Sequence, residues 1–325
     1  MKKEKQKIVT IGGGSGQFAL LSGLRDIEDI DITAIVSMAD SGGSTGRLRD
    51  ELGILPPGDV LKCVLALSPQ RDVIRTILLK RLTVDSRLQG HNAGNMLLTM
   101  LAEYTGNFAT GVNALSEILD ARGVILPVTV DKATLVAELT DGCRIYGQRA
   151  INIPRETQRE QIKDIYLVPH HHDEISAYPP VIDAIGQADY IIIGPGDLFT
   201  SIIPNLLVPG VKEAIMETKA NIFYVVNIMT KYGETNNFTG CDFVKSIEYF
   251  IGRTVDGIIY NTQKPKRKIL ERYKEEEQAD FVEIDGDEAF WEHRKIYSAH
   301  LLNMAGGIIR HDSKKLAVLI RQMIS

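Results

Sequence analysis

The chain has 325 residues, 42 acidic against 37 basic side chains, a net charge of −5 and 44% hydrophobic residues. That apolar content supports a sizeable core and excludes a disordered chain or a small disulfide-stapled scaffold. The acid excess counts against general nucleic-acid binding, which needs basic surface to displace counterions, so no nucleic-acid partner is expected.

No apolar run approaches the ~18–20 residues needed to span a bilayer, so no membrane span is expected. Cys63, Cys143 and Cys241 lie far apart without a CxxC pair. Such spacing suits reduced thiols, and the expected location is cytoplasmic. The first strand, Lys7–Ile11, ends at Gly12-Gly13-Gly14-Ser15-Gly16, and a helix follows over Gln17–Arg25. Glycines there let backbone approach a ligand, while free amides at the helix start point toward it. A tight strand–helix turn is the plain alternative. Counting from Gly12, the sixth position is Gln17, so the dinucleotide fingerprint GxGxxG fails and a nicotinamide enzyme is disfavoured.

A second strand, Ile32–Met38, runs into Asp40-Ser41-Gly42-Gly43-Ser44-Thr45-Gly46, with Arg47 and Arg49 beyond. In a parallel sheet this loop opens on the same carboxyl edge as the first, where ligands bind. Its carboxylate and hydroxyls suit a ribose, a phosphate or a hydrated cation, and the arginines suit phosphate oxygens. Pro56-Pro57-Gly58-Asp59 opens a helix over Asp59–Ala66, where Asp59 reads equally as cap or ligand contact. Further helices are expected at Val73–Arg81, Ala93–Tyr104 and Gly111–Leu119. His91 and Asn95, flanking the start of the second of these, read as a polar pocket wall.

Thr134–Leu139 and Cys143–Gly147 form an expected hairpin turning at Asp141-Gly142. With the helices before it, this makes residues 68–160 an approximate insertion beside the main sheet. The strand Asp164–Val168 leads into Pro169–Glu174, read as a loop. His170, His171 and His172 diverge in an extended segment and do not converge on a metal. After a helix at Ile175–Gly186, the strand Asp189–Ile193 ends in Gly194-Pro195-Gly196, followed by Thr200, Ser201 and Asn205. This has the logic of a phosphate loop, with glycines for close approach and hydroxyls near a helix start.

A helix at Lys212–Thr218 precedes the strand Asn221–Ile228, which carries a fifth loop containing Asn227 and Thr230. Next come a helix at Asp242–Ile251, a strand at Asp256–Tyr260 and a charged amphipathic run from Lys264 to Asp280 with Ile269 and Tyr273 on one face. Lys314–Ile324 is a last helix, capped by Asp312 or Ser313. Continuous apolar strands joined by helices indicate an α/β fold, a doubly wound, mostly parallel, Rossmann-like sheet. Because the polar loops recur at successive strand ends, they describe one anion-binding cleft. The chain is therefore counted as a single domain, 1–325, with a helical and hairpin insertion.

GGGSG (12–16), DSGGSTGRLR (40–49), PPGD (56–59), HNAGN (91–95), GPGDLFTSIIPNLL (194–207) and NIMTKYGET (227–235) occur in an order and spacing that covers nearly the whole chain. In this the sequence resembles the gluconeogenesis factor-like (YvcK-like) proteins of the 2-phospho-L-lactate transferase (CofD-like) superfamily. One branch implies Mg²⁺-dependent transfer of a phospholactyl group from a guanosine-diphosphate-activated donor to a deazaflavin alcohol. The other implies binding of a UDP-sugar, UDP-N-acetylglucosamine, in a protein tied to gluconeogenic growth, cell shape and cell-wall precursor supply, with no settled catalytic activity. SGGSTGRLRDE and the terminal IIRHDSKKLA resemble the second branch.

On that resemblance, Gly12–Gly16 and Gly194–Ser201 surround a diphosphate, while Asp40 and Asn227 address sugar or ribose hydroxyls. Arg310 neutralises phosphate, Tyr273 packs on base or sugar, and Ser313 is a candidate for regulatory phosphorylation. Ser41, Gly42, Gly43, Ser44, His91, Asn95, Asn205 and Thr230 complete the expected site. One acid of the superfamily's second loop is replaced here by Ser41, so Asp40 and Asp59 are left to hold Mg²⁺ through waters and phosphates. GGGSGQ and HNAGN also depart from the commoner GGGTGL and HSLGN. A homodimer is compatible with this organisation.

Overall fold

The computed structural model describes residues 5–69, 71–83, 88–154, 159–170, 174–284 and 288–324. His171 and His172 lie outside them. In chain order the strands are β1 (Gln6–Gly12), β2 (Ile30–Val36), β3 (Val124–Pro127), β4 (Ala133–Leu139), β5 (Arg144–Tyr146) and β6 (Ile162–Pro169). They continue with β7 (Tyr190–Ile193), β8 (Asn221–Val225), β9 (Gly257–Asn261), β10 (Ile296–Ala299), β11 (Leu302–Asn303) and β12 (Arg310–His311).

Seven strands make the main sheet in the order β10-β9-β8-β7-β1-β2-β3. Every pair in it is parallel. The sequence demands this: Ile191, Ile192 and Ile193 are consecutive and fully buried, which only a strand covered on both faces allows. Helices supply the cover. Ser15–Leu24, Pro57–Leu67 and Ser313–Ile324 pack together, and Pro179–Gln187, Val211–Glu217 and Gly240–Ile251 form a second packed group. Gly23 lets the last helix close in, since a Cβ there would stand 2.1 Å from the Ser313 carbonyl oxygen.

Strand order reverses at β1, with β2 and β3 running out on one side and β7 to β10 on the other. A crevice therefore opens between β1 and β7 at the carboxyl edge. Beside it, Gln17 is fully buried. The Thr10 hydroxyl donates to its Oε1 at 2.6 Å, and its Nε2 donates to the Ile35 carbonyl at 2.7 Å. A long amide thus ties β1 to β2 where the dinucleotide fingerprint would have a glycine.

The expected hairpin forms β4 and β5, which join β6 in a separate antiparallel sheet. The residues expected as an insertion are not one block, because β3 falls among them yet pairs with β2 in the main sheet. At four residues, with Val124 half exposed, β3 carries little pattern of its own. The strand expected over Asn221–Ile228 stops at Val225, which releases Asn227 and Ile228 into the following loop. A helix at Gly43–Leu52, not foreseen, begins inside the second glycine loop. Asp312, not Ser313, caps the last helix, its Oδ1 accepting the Lys314 and Lys315 amides at 3.0 Å each. A small second core of Ile228, Tyr273, Ala279, Leu302 and Ile309 sits apart from the main one. No single helix among the described residues is long and apolar enough to cross a membrane.

Candidate functional site

A cleft of about 430 Å³ lies at the strand-order reversal. Its floor is Gly14, Ser15 and Gly16, its near wall Pro195, Gly196, Asp197 and Ser201, and its far wall Asn227–Lys231, Tyr273 and Arg310. The Ser15–Leu24 helix has Gly14 at its N-cap without a side-chain cap, so its first amides have no side chain competing for them. The floor and near wall touch. A Cβ on Gly16 would lie 1.9 Å from the Pro195 carbonyl oxygen, so only glycine fits.

The near wall runs into a single π-type turn, Leu198–Ile202, whose Ser201 and Ile202 amides return to the Asp197 carbonyl at 2.9 and 3.1 Å. This turn sends neighbouring hydroxyls in opposite directions. Ser201 lines the cleft, whereas Thr200 is buried and donates to the Glu234 carboxyl at 2.9 Å. Burial, reinforced by Asp197, pushes the Glu234 carboxyl up to about 8, so it carries its proton at neutral pH. Asn227 steadies the same wall by donating to the Gly196 carbonyl at 2.8 Å.

Asp40, Asp59 and Lys62 close one end. The Lys62 ammonium donates to Asp59 Oδ1 at 3.0 Å. Burial opposes its charge, but Asp59 and then Asp40 outweigh burial and hold its pKa above the usual lysine value. Burial and the facing Asp59 raise the pKa of Asp40, whose Oδ1 accepts the Gly42 amide at 2.9 Å. These acids do not suit the expected Mg²⁺ ion. Asp59 is already paired with an ammonium, and Oδ1 of Asp40 is engaged by the Gly42 amide. A divalent ion here would share its ligand with a cation it repels.

Of the expected site residues, Gly14, Ser15, Gly16, Asp40, Asp59, Pro195, Gly196, Ser201, Asn227, Thr230, Tyr273 and Arg310 meet at this cleft. Others stand behind it as its frame. Ser44 Oγ and His91 Nδ1 are hydrogen-bonded at 2.9 Å, and Asn95 Nδ2 donates to Ser44 Oγ at 3.3 Å, all three residues being buried. Buried Asn205 donates to the Gly12, Ser201 and Ile202 carbonyls at 3.2, 3.0 and 3.1 Å, tying floor to wall. The hydroxyl of Ser41 accepts the Arg149 amide at 3.0 Å, and Arg47 donates to the Gln89 carbonyl. Gly12, Gly13, Gly42, Gly194 and Ser313 do not line the cleft either.

Lys62, Gln148 and Asn152 line it without having been singled out in the sequence, and Asp197, Lys231 and His311 join them from within the GPGDLFTSIIPNLL, NIMTKYGET and IIRHDSKKLA motifs. Lys62 had a signal, one helical turn beyond Asp59. Gln148 and Asn152 had none, since a short helix after the hairpin carries them across, where Asn152 Nδ2 donates to Asp197 Oδ2 at 3.1 Å. Lys231 meets the same carboxylate at 3.4 Å. On the far wall, the Tyr273 hydroxyl accepts the Ile309 amide at 2.9 Å, and Arg272 donates to the Gly307 carbonyl. Together they hold the loop that delivers Arg310 and His311. Burial lowers the His311 pKa to about 4, leaving the ring neutral at physiological pH.

The sequence profile of the family described as 2-phospho-L-lactate transferase CofD matches residues 8–302. The chain is similar to a protein named gluconeogenesis factor in Bacillus subtilis, 38% identical over 322 residues and covering 99% of each chain. It is also similar to one of the same name in Listeria monocytogenes, 35% identical over 329 residues, 100% of this chain and 98% of that one. A crystal structure of a Bacillus halodurans protein, described as a member of the UPF0052 family, superposes with a TM-score of 0.90 at 35% identity. It covers 97% of this chain and 99% of that one.

Proposed function

Because the chain belongs to the CofD-like superfamily, among the gluconeogenesis factors, we propose that it is a cytoplasmic, nucleotide-sugar-binding regulatory protein whose ligand is UDP-N-acetylglucosamine. The observation that carries this reading is the meeting of two glycine loops across the strand-order reversal, with Arg310 on the wall opposite. Backbone amides at a helix start and a guanidinium are donors suited to a diphosphate. They act locally, so the net acidity of the chain does not oppose them.

In this reading Ser15, Gly16 and Gly196 receive the diphosphate, Asp40 and Asn227 face ribose or sugar hydroxyls, and Tyr273 bounds the base or sugar. The relatives' name, gluconeogenesis factor, supports a link between this protein and carbon metabolism, and Ser313, at the start of the helix packed on Ser15–Leu24, is a candidate site for its regulation. Calorimetric titration with UDP-N-acetylglucosamine, UDP and GDP tests the reading. The expected result is 1:1 binding with uridine preferred. The family profile also bears the transferase's description, and a phospholactyl-deazaflavin product seen by mass spectrometry would replace regulation with catalysis.

A further inference from the structure

Lys62 lies on the Pro57–Leu67 helix, and its aliphatic stem passes directly over the first glycine loop. A Cβ on Gly14 would stand 2.7 Å from Lys62 Cδ and 2.3 Å from Asp59 Oδ1. The ammonium is fixed by Asp59 at 3.0 Å, and Asp40 adds to the negative field around it. Its side chain is 34% exposed, and that exposed part faces the cleft beside Ser15 and Gly16. The amino-acid cation is thus where two carboxylates would otherwise gather a metal ion next to the phosphate-binding backbone.

The geometry points to Lys62 as the resident cation of the phosphate subsite, standing in for a divalent metal, so that an anionic ligand binds without one. Asp59 is then a positioning residue, aiming the ammonium at the loop. A lysine ammonium has three donors, so one engages Asp59 while others remain for phosphate oxygens. This rests on the nucleoside-diphosphate reading of the cleft for its ligand, but not for its behaviour toward metals.

The test is calorimetry with UDP in EDTA and in millimolar Mg²⁺, together with Mn²⁺ binding to the ligand-free protein by electron paramagnetic resonance. The native chain is expected to bind UDP equally in both buffers and to leave Mn²⁺ free. Lys62→Met is expected to lose about ten- to hundredfold in UDP affinity in EDTA, to regain it in Mg²⁺, and to bind Mn²⁺. Lys62→Arg, which keeps a cation, is expected to stay metal-independent. Native binding of UDP that requires Mg²⁺ overturns the proposal without recourse to any variant. Equal behaviour of native and Lys62→Met chains toward Mn²⁺, bound by both or by neither, also overturns it. Failure of UDP to bind in either buffer removes the nucleotide reading instead, and the Mn²⁺ comparison still decides the role of Lys62.

Discussion

The floor and near wall of the cleft rise from β1 and β7, whose Ile8, Ile11, Ile191, Ile192 and Ile193 are all buried in the main core. The far wall has another foundation: Tyr273 and Ile309 belong to a separate cluster of five buried residues fed by the segment after β8, the Arg267–Glu276 helix and the β11–β12 turn. In the proposed reading, backbone amides meet the ligand on the first side and side chains on the second. An amide at a strand end moves only if the sheet moves. Arg310 is set by its pairing with Asn303 in the two-stranded β11–β12 sheet and by the bonds that Tyr273 and Arg272 make to its loop. If the proposed reading holds, the first side is the more rigid cradle for an anion, and the far wall, resting on a smaller core, is expected to open at lower free-energy cost.

That contrast is broken most severely in the main core. Ile192→Ala is expected to cost about 2–5 kcal/mol of global stability, read by denaturant unfolding, with both walls lost together. Next is Gly16→Ala, whose added Cβ meets the Pro195 carbonyl rather than a yielding side chain. It is expected to cost about 1–3 kcal/mol and to abolish nucleotide binding in calorimetry while the far wall keeps its hydrogen-exchange protection. Tyr273→Phe strands the buried Ile309 amide, a loss of about 1–3 kcal/mol that should be local. Faster exchange at the 305–311 loop, with the melting temperature lowered by only a few degrees, is the expected signature.

The remaining predictions are pH dependences of opposite sign. Glu234, behind the near wall, has a folded pKa of about 8, above its ordinary 4.5. The folded chain therefore binds the extra proton across that interval, and stability falls as pH rises through it. His311, in the far wall, is lowered from 6.5 to about 4, so its contribution is lost as pH falls through that interval. Glu234→Gln should flatten the alkaline slope of melting temperature against pH, and His311→Gln the acidic one. Matching slopes in the two variants would contradict the assignment.

Much of this was legible in the residues. Continuous apolar strands, the glycine loops and the Asp141-Gly142 turn each carry a local physical signature, and the parallel sheet follows from them. Direction was not legible. Thr200 and Ser201 are chemically alike and adjacent, yet a π-type turn buries the first on Glu234 and leaves the second in the cleft. Asn205 and His91 have the polarity of ligand contacts, but in this structure Asn205 reaches the Gly12 carbonyl and His91 the Ser44 hydroxyl, both far away in sequence. Tyr273 showed its helical face, and its partner Ile309, 36 residues on, did not. β3 and β10, at four residues each, are too short to show a pattern of their own and are held by pairing with their neighbours.

Titration of UDP-N-acetylglucosamine into the native chain and into Gly16→Ala and Tyr273→Phe tests the two-walled cleft most directly. The expected result is 1:1 binding by the native chain, none by Gly16→Ala and weakened binding by Tyr273→Phe. Undiminished binding by Gly16→Ala, or no binding of any nucleoside diphosphate by the native chain, would contradict it.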